Sequence, residues 1–405
     1  MDLKSGYPYW AIKNGLMSAF PRLEADIDCD VLIVGAGIVG ALVARALAAN
    51  GLDVAIVEQR DVAWGSTAAS TALLQYEIDT HMTELARRFG DADAGRIYGA
   101  CADAVLQFGD IARDIGDVGF KRSRSLYFAS RWRHRFELKR EGELRRRHGL
   151  DSEWLAASEI RERFGFPAPA ALLTSCAARV DPYRFVSRLL RKLERGGVRI
   201  FDRTRIERFD VRTRQVIAHG DAGCTVRARY VVMAAGYASQ RWLRASVARN
   251  RSSYAFITDP LDAAALGPLR DTMIWETARP YLYLRSTDDG RLIVGGEDDA
   301  IDIPARRDAR VEKKAAKLQK RARHLFPHLA FEPAFAWGGT FAETRDGLPW
   351  FGAHREQGPR MLFAMAYGGN GITYGLIGAE LIAATIARRR HPLAALFGFE
   401  RGSRG

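Results

Sequence analysis

The tightest constraint on this chain of 405 residues lies in residues 30–58. Asp30–Val34 reads DVLIV, a short apolar strand. Gly35-Ala36-Gly37-Ile38-Val39-Gly40 follows as a turn, and ALVARALAANG continues as a helix stopped at Gly51. A second strand, Val54–Val57, ends at Glu58, 18 residues beyond Gly40. A G-x-G-x-x-G turn between a strand and a helix, with an acid at the next strand end, is the arrangement that grips a dinucleotide. Gly35 permits the tight turn, Gly37 lets backbone approach a pyrophosphate, and Gly40 lets helix and strand pack closely. Unpaired N–H groups at the helix start, those of Ala36, Ile38 and Val39 among them, favour phosphate charge. Glu58 can accept ribose hydroxyls as charge-assisted hydrogen bonds, and Gln59 and Arg60 join it in the expected site.

The segment after the acid tells which dinucleotide. Trp64–Leu74 (WGSTAASTALL) is small and polar. It lets backbone lie against a large planar ligand, with Ser66, Thr67, Ser70, Thr71, Ala72 and Leu73 as expected contacts. An NAD domain would instead move soon through a helix to its third strand.

Composition narrows the class. Hydrophobic residues at 47% and charged residues at 27% suit a globular fold and exclude a disordered or fibrous chain. The longest apolar run, Tyr374–Ala387, carries Glu380 and falls short of a bilayer span. The first twenty residues lack a charged-then-apolar order, so the expectation is a cytoplasmic protein, with peripheral membrane contact at most. Cys29, Cys101, Cys176 and Cys224 form no CxxC pair, and Pro327 interrupts His324 and His328, so no metal site is expected. The net charge is +13, with eleven Lys/Arg against three Glu in Lys121–Arg147. No RNA- or DNA-binding signature accompanies that stretch, which reads as a solvated helical face, and no nucleic acid partner is expected.

Farther along, residues 1–29 carry Tyr7, Tyr9, Trp10 and Phe20 and read as a strap on the body. Residues 82–165 read as mostly helical around a strand at Arg124–Ala129. A helix runs from Asp181-Pro182 to Glu194, and a strand follows at Val198–Phe201. Strands fill 204–234 and 252–298, helix returns at 308–325, and Trp337–Gly352 reads as irregular. Met361–Ala364 is a strand, and a helix spans Ile372–Arg389. With no linker between them, two domains must interleave.

Together these stretches resemble the D-amino-acid oxidase / glycine oxidase superfamily of FAD-dependent oxidoreductases. Five stretches carry the match: Gly35–Gly40 with Glu58; Gly65–Leu74; Arg179-Val180-Asp181-Pro182; Tyr230–Gly236 ending in Ala-Ala-Gly; and Trp337–Pro349 with Gly368–Thr373. Within the superfamily the chain is similar to the amine-oxidising branch that includes gamma-glutamylputrescine oxidase and sarcosine-type enzymes. The resemblance implies an α/β (α+β) fold, a GR2-type FAD-binding Rossmann-like domain interleaved with a mixed-sheet substrate domain. The expected FAD segments are 30–81, 171–245 and 331–392. The expected substrate segments are 82–170 and 246–330, with an N-terminal extension at 1–29 and a tail at 393–405. It also implies FAD contacts at Val180, Ala235, Gly236, Gly339, Gly369 and Asn370. Gly371, Ile372 and Thr373 would open a helix aimed at the flavin.

The implied reaction oxidises the C–N bond of an amine or N-substituted amino acid by hydride transfer to flavin N5, followed by imine hydrolysis. The alternative is a flavin dehydrogenase of a hydroxy acid or glycerol phosphate. Tyr254, Tyr283, Trp337, Tyr367 and Asn370 are the expected catalytic residues, and Tyr281 shares the Tyr283 strand face. Two departures from family patterns matter. Phe341 falls where α-amino-acid oxidases carry a carboxylate-clamping arginine, so Arg279 or Arg285 becomes the candidate clamp. Residues 65–74 contain no histidine and no cysteine follows Cys224, so the FAD is expected to be non-covalent. His81 is expected to be structural. The expected partners are a small-molecule amine and, as electron acceptor, oxygen or a quinone.

Overall fold

A computed structural model describes residues 2–5, 8–301 and 303–403; Tyr7 lies outside the described residues. The strands form two sheets. In the first, Ile27–Val34 lies between Val54–Val57 and Thr225–Met233, parallel to both. Arg199–Phe201 extends it in parallel on one side, and Met361–Met365 on the other. Trp350–Ala353 closes that second edge antiparallel. Residues 31–33 and 54–57 are buried throughout, as parallel strands covered on both faces must be. The helix Ile38–Ala48 covers one face. Gly375, in the helix Gly371–Ile386, lets that helix approach, since a Cβ there would lie 3.2 Å from Val39 Cγ2.

The second sheet runs in the order Pro333–Glu343, Arg249–Thr258, Leu292–Asp299, Leu282–Ser286, Thr272–Glu276, Lys121–Phe128, Ala170–Arg179 and Leu73–Gln75. Glu153–Ala156 adds to its Ala170–Arg179 strand. Strands 73–75, 170–179 and 333–343 lie in one sheet with those of 249–299: 333–343 pairs directly with 249–258, while 73–75 and 170–179 join through 121–128. The segment expected to be irregular from Trp337 to Gly352 begins as the second half of a continuous strand, Pro333–Glu343, and ends in the strand Trp350–Ala353, so only 344–349 is loose. One further departure is short: Leu73–Gln75 is a strand that begins within the segment read as small and polar.

The N-terminal strap is ordered by burial. Tyr9, Trp10 and Phe20 are all buried. Leu3 and Ser5 pair across Gly338–Thr340: Ser5 N–H donates to Gly338 O at 2.9 Å and Thr340 N–H to Leu3 O at 2.8 Å.

A buried charge cluster fixes the segment that joins Leu73–Gln75 to the helix Met82–Phe89. Arg145 donates from Nε to Glu141 Oε1 at 2.9 Å, and its guanidinium lies near the rings of Tyr76 and Tyr98. Glu141 also accepts the N–H groups of Met82 and Thr83. Burial works to raise the Glu141 carboxyl, but Arg145, His81 and these N–H donors outweigh it and hold it at about 2. Glu77 stands 3.9 Å from Arg145 as a second, poorly served carboxylate, and burial raises it to about 7.

Two outcomes follow from this packing. In Glu141→Gln, Arg145 loses its main counter-charge, and chemical denaturation should show a loss of about 3–5 kcal/mol near neutral pH. A carboxyl depressed in the folded state gives stability that is present above its unfolded value and lost as pH falls towards 2, so that acid limb should flatten in the variant. A Cβ at Gly378 would sit 2.0 Å from the Phe351 ring, while one at Gly99 meets nothing within 4 Å. Gly378→Ala should therefore cost about 1–3 kcal/mol in a thermal melt, and Gly99→Ala should be neutral or gain up to about 1 kcal/mol.

Candidate active site

One cavity is bounded by the C-terminal ends of the parallel strands and by the second sheet. At its first end three backbone segments meet at contact distance. Gly35 has φ +114°, and a Cβ there would lie 2.4 Å from Ala234 O. A Cβ at Gly40 would lie 1.9 Å from Gly35 O, so neither position admits a side chain. Gly37 caps the helix with no side-chain bond, and Thr67 Oγ1 accepts the Ile38 N–H at 3.0 Å. Glu58 follows at the strand end, accepting the N–H groups of Ala36 and Arg60, both at 3.0 Å. Burial raises its carboxyl, and those donors oppose the rise.

The small-residue segment forms the next stretch of wall. Its carbonyls are held by side-chain donors. Trp337 Nε1 donates to Ala69 O at 2.9 Å, Trp10 Nε1 to Ser70 O at 2.8 Å, and Arg285 Nε to Thr71 O at 2.6 Å. Ala72 sits at φ +51°, its N–H donating to Ser70 Oγ. Ser66 Oγ is buried without a partner.

The far end is aromatic. Tyr281 and Tyr283 stand with ring centroids 5.7 Å apart, and Tyr237 and Tyr367 with centroids 5.4 Å apart. Trp275 stacks on Tyr127 at 3.7 Å, and Tyr127 O–H meets His81 Nε2 at 2.8 Å. Burial lowers the His81 imidazole below its usual range. Here the helix Gly371–Ile386 begins, with no acid in its first turn. Asn370 fixes that start by donating from Nδ2 to Glu77 O at 2.8 Å and Gln75 O at 3.3 Å.

Of the residues singled out from sequence, Gly35, Gly37, Ile38, Val39, Glu58, Gln59 and Arg60 line the first end. Ser66, Thr67, Ser70, Thr71, Ala72 and Leu73 line the middle. Ala235, Gly236, Gly339, Gly369, Asn370, Gly371 and Ile372 line the remainder. Ala36, Gly40, Val180 and Thr373 do not line it. Gly40 is a packing position, and Val180 O is taken by Arg285 Nη2 at 3.0 Å.

Tyr254, Tyr283, Trp337 and Tyr367 line the cavity, but most of their polar atoms are committed to protein. Tyr254 O–H donates to Asp299 Oδ2 at 3.2 Å, and Tyr367 O–H to Gly236 O at 3.3 Å. Trp337 and Asn370 are engaged as described. The Tyr283 hydroxyl accepts from Thr71 Oγ1, on the facing small-residue segment, at 3.3 Å. These side chains shape the cavity rather than offer it free acids or bases.

Arg285 is corrected as a clamp candidate. Its Nε, Nη1 and Nη2 donate to the carbonyls of Thr71, Ser286 and Val180, and burial, with Arg179 nearby, lowers it to about 9. Arg279 stands exposed at the rim, its guanidinium 4.8 Å from the Tyr281 ring and one nitrogen donating to Asp79 O.

Sequence reading missed Asp79, Trp275, Tyr237 and Leu3 in this wall. No motif marks them. Their one shared trait is that they border segments already singled out.

Two features suit FAD. The glycine turn brings backbone free of side chains to the cavity at the helix start, where a Cβ on Gly37 would meet only Thr67 Oγ1, and Glu58 stands beside it where ribose hydroxyls would donate. Comparison with known proteins agrees. A family model described as FAD dependent oxidoreductase matches residues 30–385. Glycine oxidase of Geobacillus kaustophilus is 27% identical over 373 residues, covering 89% of this chain and 93% of that protein. Gamma-glutamylputrescine oxidoreductase of Escherichia coli is 24% identical over 389 residues, covering 93% and 87%. The crystal structure of L-proline dehydrogenase from P. horikoshii superposes with a TM-score of 0.79 at 18% identity, covering 93% of this chain and 99% of that one. The strand-end glycine cradle, the acid beside it and a match along nearly the whole chain converge on one conclusion: this chain belongs to the FAD-dependent oxidoreductase (DAO) family.

Proposed function

We propose that the protein oxidises the C–N bond of an amine or N-substituted amino acid, using non-covalently held FAD. The observation that carries this reading is the character of the aromatic end. Phe341 lines the wall there. The arginines of the wall are committed or distant: Arg60 and Arg205 stand beside Glu58 and Thr204, whose N–H bonds Glu58 O, Arg241 lies over the Trp242 ring, and at the rim Arg279 lies over Tyr281 and donates to carbonyls. An anionic hydroxy acid or glycerol phosphate has no paired cation to meet among those wall residues. The relatives named for glycine and gamma-glutamylputrescine chemistry point the same way.

Gly35, Gly37 and Ile38 would hold the diphosphate, Glu58 the ribose, and Ser66–Leu73 with Gly371 and Ile372 the ring system. Bound FAD supplies the two-electron acceptor for the hydride leaving the carbon next to nitrogen. The chain supplies the rest. Trp275, Tyr281 and Tyr283 exclude water and orient the amine, which must be neutral to give up that hydride. The first N–H groups of the helix Gly371–Ile386 offset negative charge developing beside them, since no acid in its first turn competes. The imine product leaves and hydrolyses in water.

Anaerobic addition of amines and N-alkyl amino acids should bleach the visible band of the purified holoenzyme, and hydroxy acids and glycerol phosphate should not; the reverse pattern overturns the proposal. Acid precipitation should leave the yellow colour in the supernatant, whereas a coloured pellet would show a covalent bond. Glu58→Gln removes one charged acceptor worth about 1.5–3 kcal/mol. Reconstitution of the variant, followed by flavin fluorescence, should therefore show FAD affinity lowered by about 10- to 100-fold.

A further inference from the structure

We infer that the aromatic end of the cavity is a cation site with Asp79 as its counter-charge, and that the substrate is a diamine without a carboxylate. This rests on the C–N reading above and goes beyond it by naming the group that the enzyme recognises.

Among the described wall residues Glu58 and Asp79 are the acids, and they belong to opposite ends. Asp79 is half-buried and is held in place by Gly369 N–H, which donates to its Oδ2 at 2.9 Å. That leaves Oδ1 and the second lone pair of Oδ2 available to a ligand. Tyr237, Tyr281 and Tyr283 line the same cavity, and Arg279 connects two of its members, donating to Asp79 O while its guanidinium lies 4.8 Å from the Tyr281 ring. Aromatic faces with one carboxylate are the chemistry that selects an alkylammonium ion.

A second carboxylate lies behind this wall. Asp298, on the strand Leu292–Asp299, faces Ser253, itself a wall residue, and its Oδ1 is buried without a hydrogen-bond partner. The groups that act on it are Ser253, Asp79, Glu343 and Arg279. Burial raises it to about 7, Asp79 and Glu343 add to the rise, and Ser253 and Arg279 oppose it. A cation held at Asp79 would relieve that repulsion. Two carboxylates that repel each other in a buried setting are costly without a positive charge between or beside them. Arg279 meets part of this need from the rim, but its nitrogens reach the carbonyls of Ala278 and Asp79 rather than either carboxylate.

A diamine fits this arrangement better than a monoamine or an amino acid. One nitrogen remains an ammonium at Asp79 while the other, lying towards the small-residue wall, is neutral and is oxidised. An amino acid would bring its carboxylate against the same wall without an arginine inside it.

The test uses the FAD-loaded enzyme with 1,4-diaminobutane, 1-aminobutane and N-methylglycine, read as anaerobic bleaching. The diamine should exceed the monoamine in kcat/KM by tenfold or more. Asp79→Asn should cut that ratio at least tenfold, and Asp298→Asn by three- to tenfold. A bis-quaternary 1,4-bis(trimethylammonio)butane ion has no nitrogen lone pair and cannot be oxidised. Its Kd, read from the shift of the flavin band, should rise fivefold or more in Asp79→Asn. This binding arm needs no turnover, so it decides the cation site even if no amine bleaches the flavin. Should Asp79→Asn load no FAD, Asp298→Asn decides by the same two readouts. A diamine preference and a quaternary-ion Kd that survive the substitutions overturn the inference, as does a preference for N-methylglycine that Arg279→Gln removes. In that last case C–N oxidation stands and the substrate class falls; bleaching by hydroxy acids alone would instead sink the C–N reading.

Discussion

The structure depends on a close approach of backbone to backbone at the ends of three parallel strands. Gly35 presses on Ala234 O and Gly40 on Gly35 O, at distances that no Cβ could share. That contact sets the crossing of the strand Ile27–Val34 and the helix Ile38–Ala48, and brings the helix start, whose Ile38 N–H bonds Thr67 Oγ1, to the edge of the cavity. Glu58 is brought to the same edge by the next strand, and the 234–236 segment by the one on the other side. The phosphate recognition proposed for this place rests on packing geometry and needs no lysine or arginine.

The second sheet gives the same cavity its other wall. Strands far apart in sequence, 73–75, 253–255, 281–283 and 337–341, deliver small residues and aromatic rings to it. Most of their polar atoms are spent on one another or on nearby carbonyls. The result is a rigid, mostly apolar surface in which the few uncommitted polar groups carry the selectivity. Such a division suits an enzyme whose redox chemistry belongs to the cofactor, leaving the protein to position, dry and charge-balance the substrate. The buried Glu77–Arg145–Glu141 cluster serves this wall indirectly, by fixing the turn on which Asp79 sits.

How much of this was legible in the sequence depends on the range of the contact. The glycine turn, its strands and Glu58 are local, so spacing alone marks them. The strand Ala170–Arg179 was invisible because residues 170–174 are all buried, leaving no alternation of apolar and polar residues to detect. Pro333–Glu343 was mistaken for an irregular stretch because of Gly338 and Gly339. Those glycines are there because Arg307 and Tyr254 crowd the first and Ala69 the second. Arg285 carried a charge suited to a clamp, and only tertiary structure shows its nitrogens bound to three carbonyls. Asp79 belongs to no motif, and its position follows from a fold that brings residues 79, 281 and 369 together.

The most direct measurement of the central claim is a crystal structure of the chain grown with FAD. The account predicts the diphosphate at the N–H groups opening the helix Ile38–Ala48, the ribose hydroxyls on Glu58, and the isoalloxazine between Ser66–Leu73 and the Tyr281–Tyr283 wall. Colourless crystals with that cavity closed by side chains, or the dinucleotide bound at another surface, would contradict it.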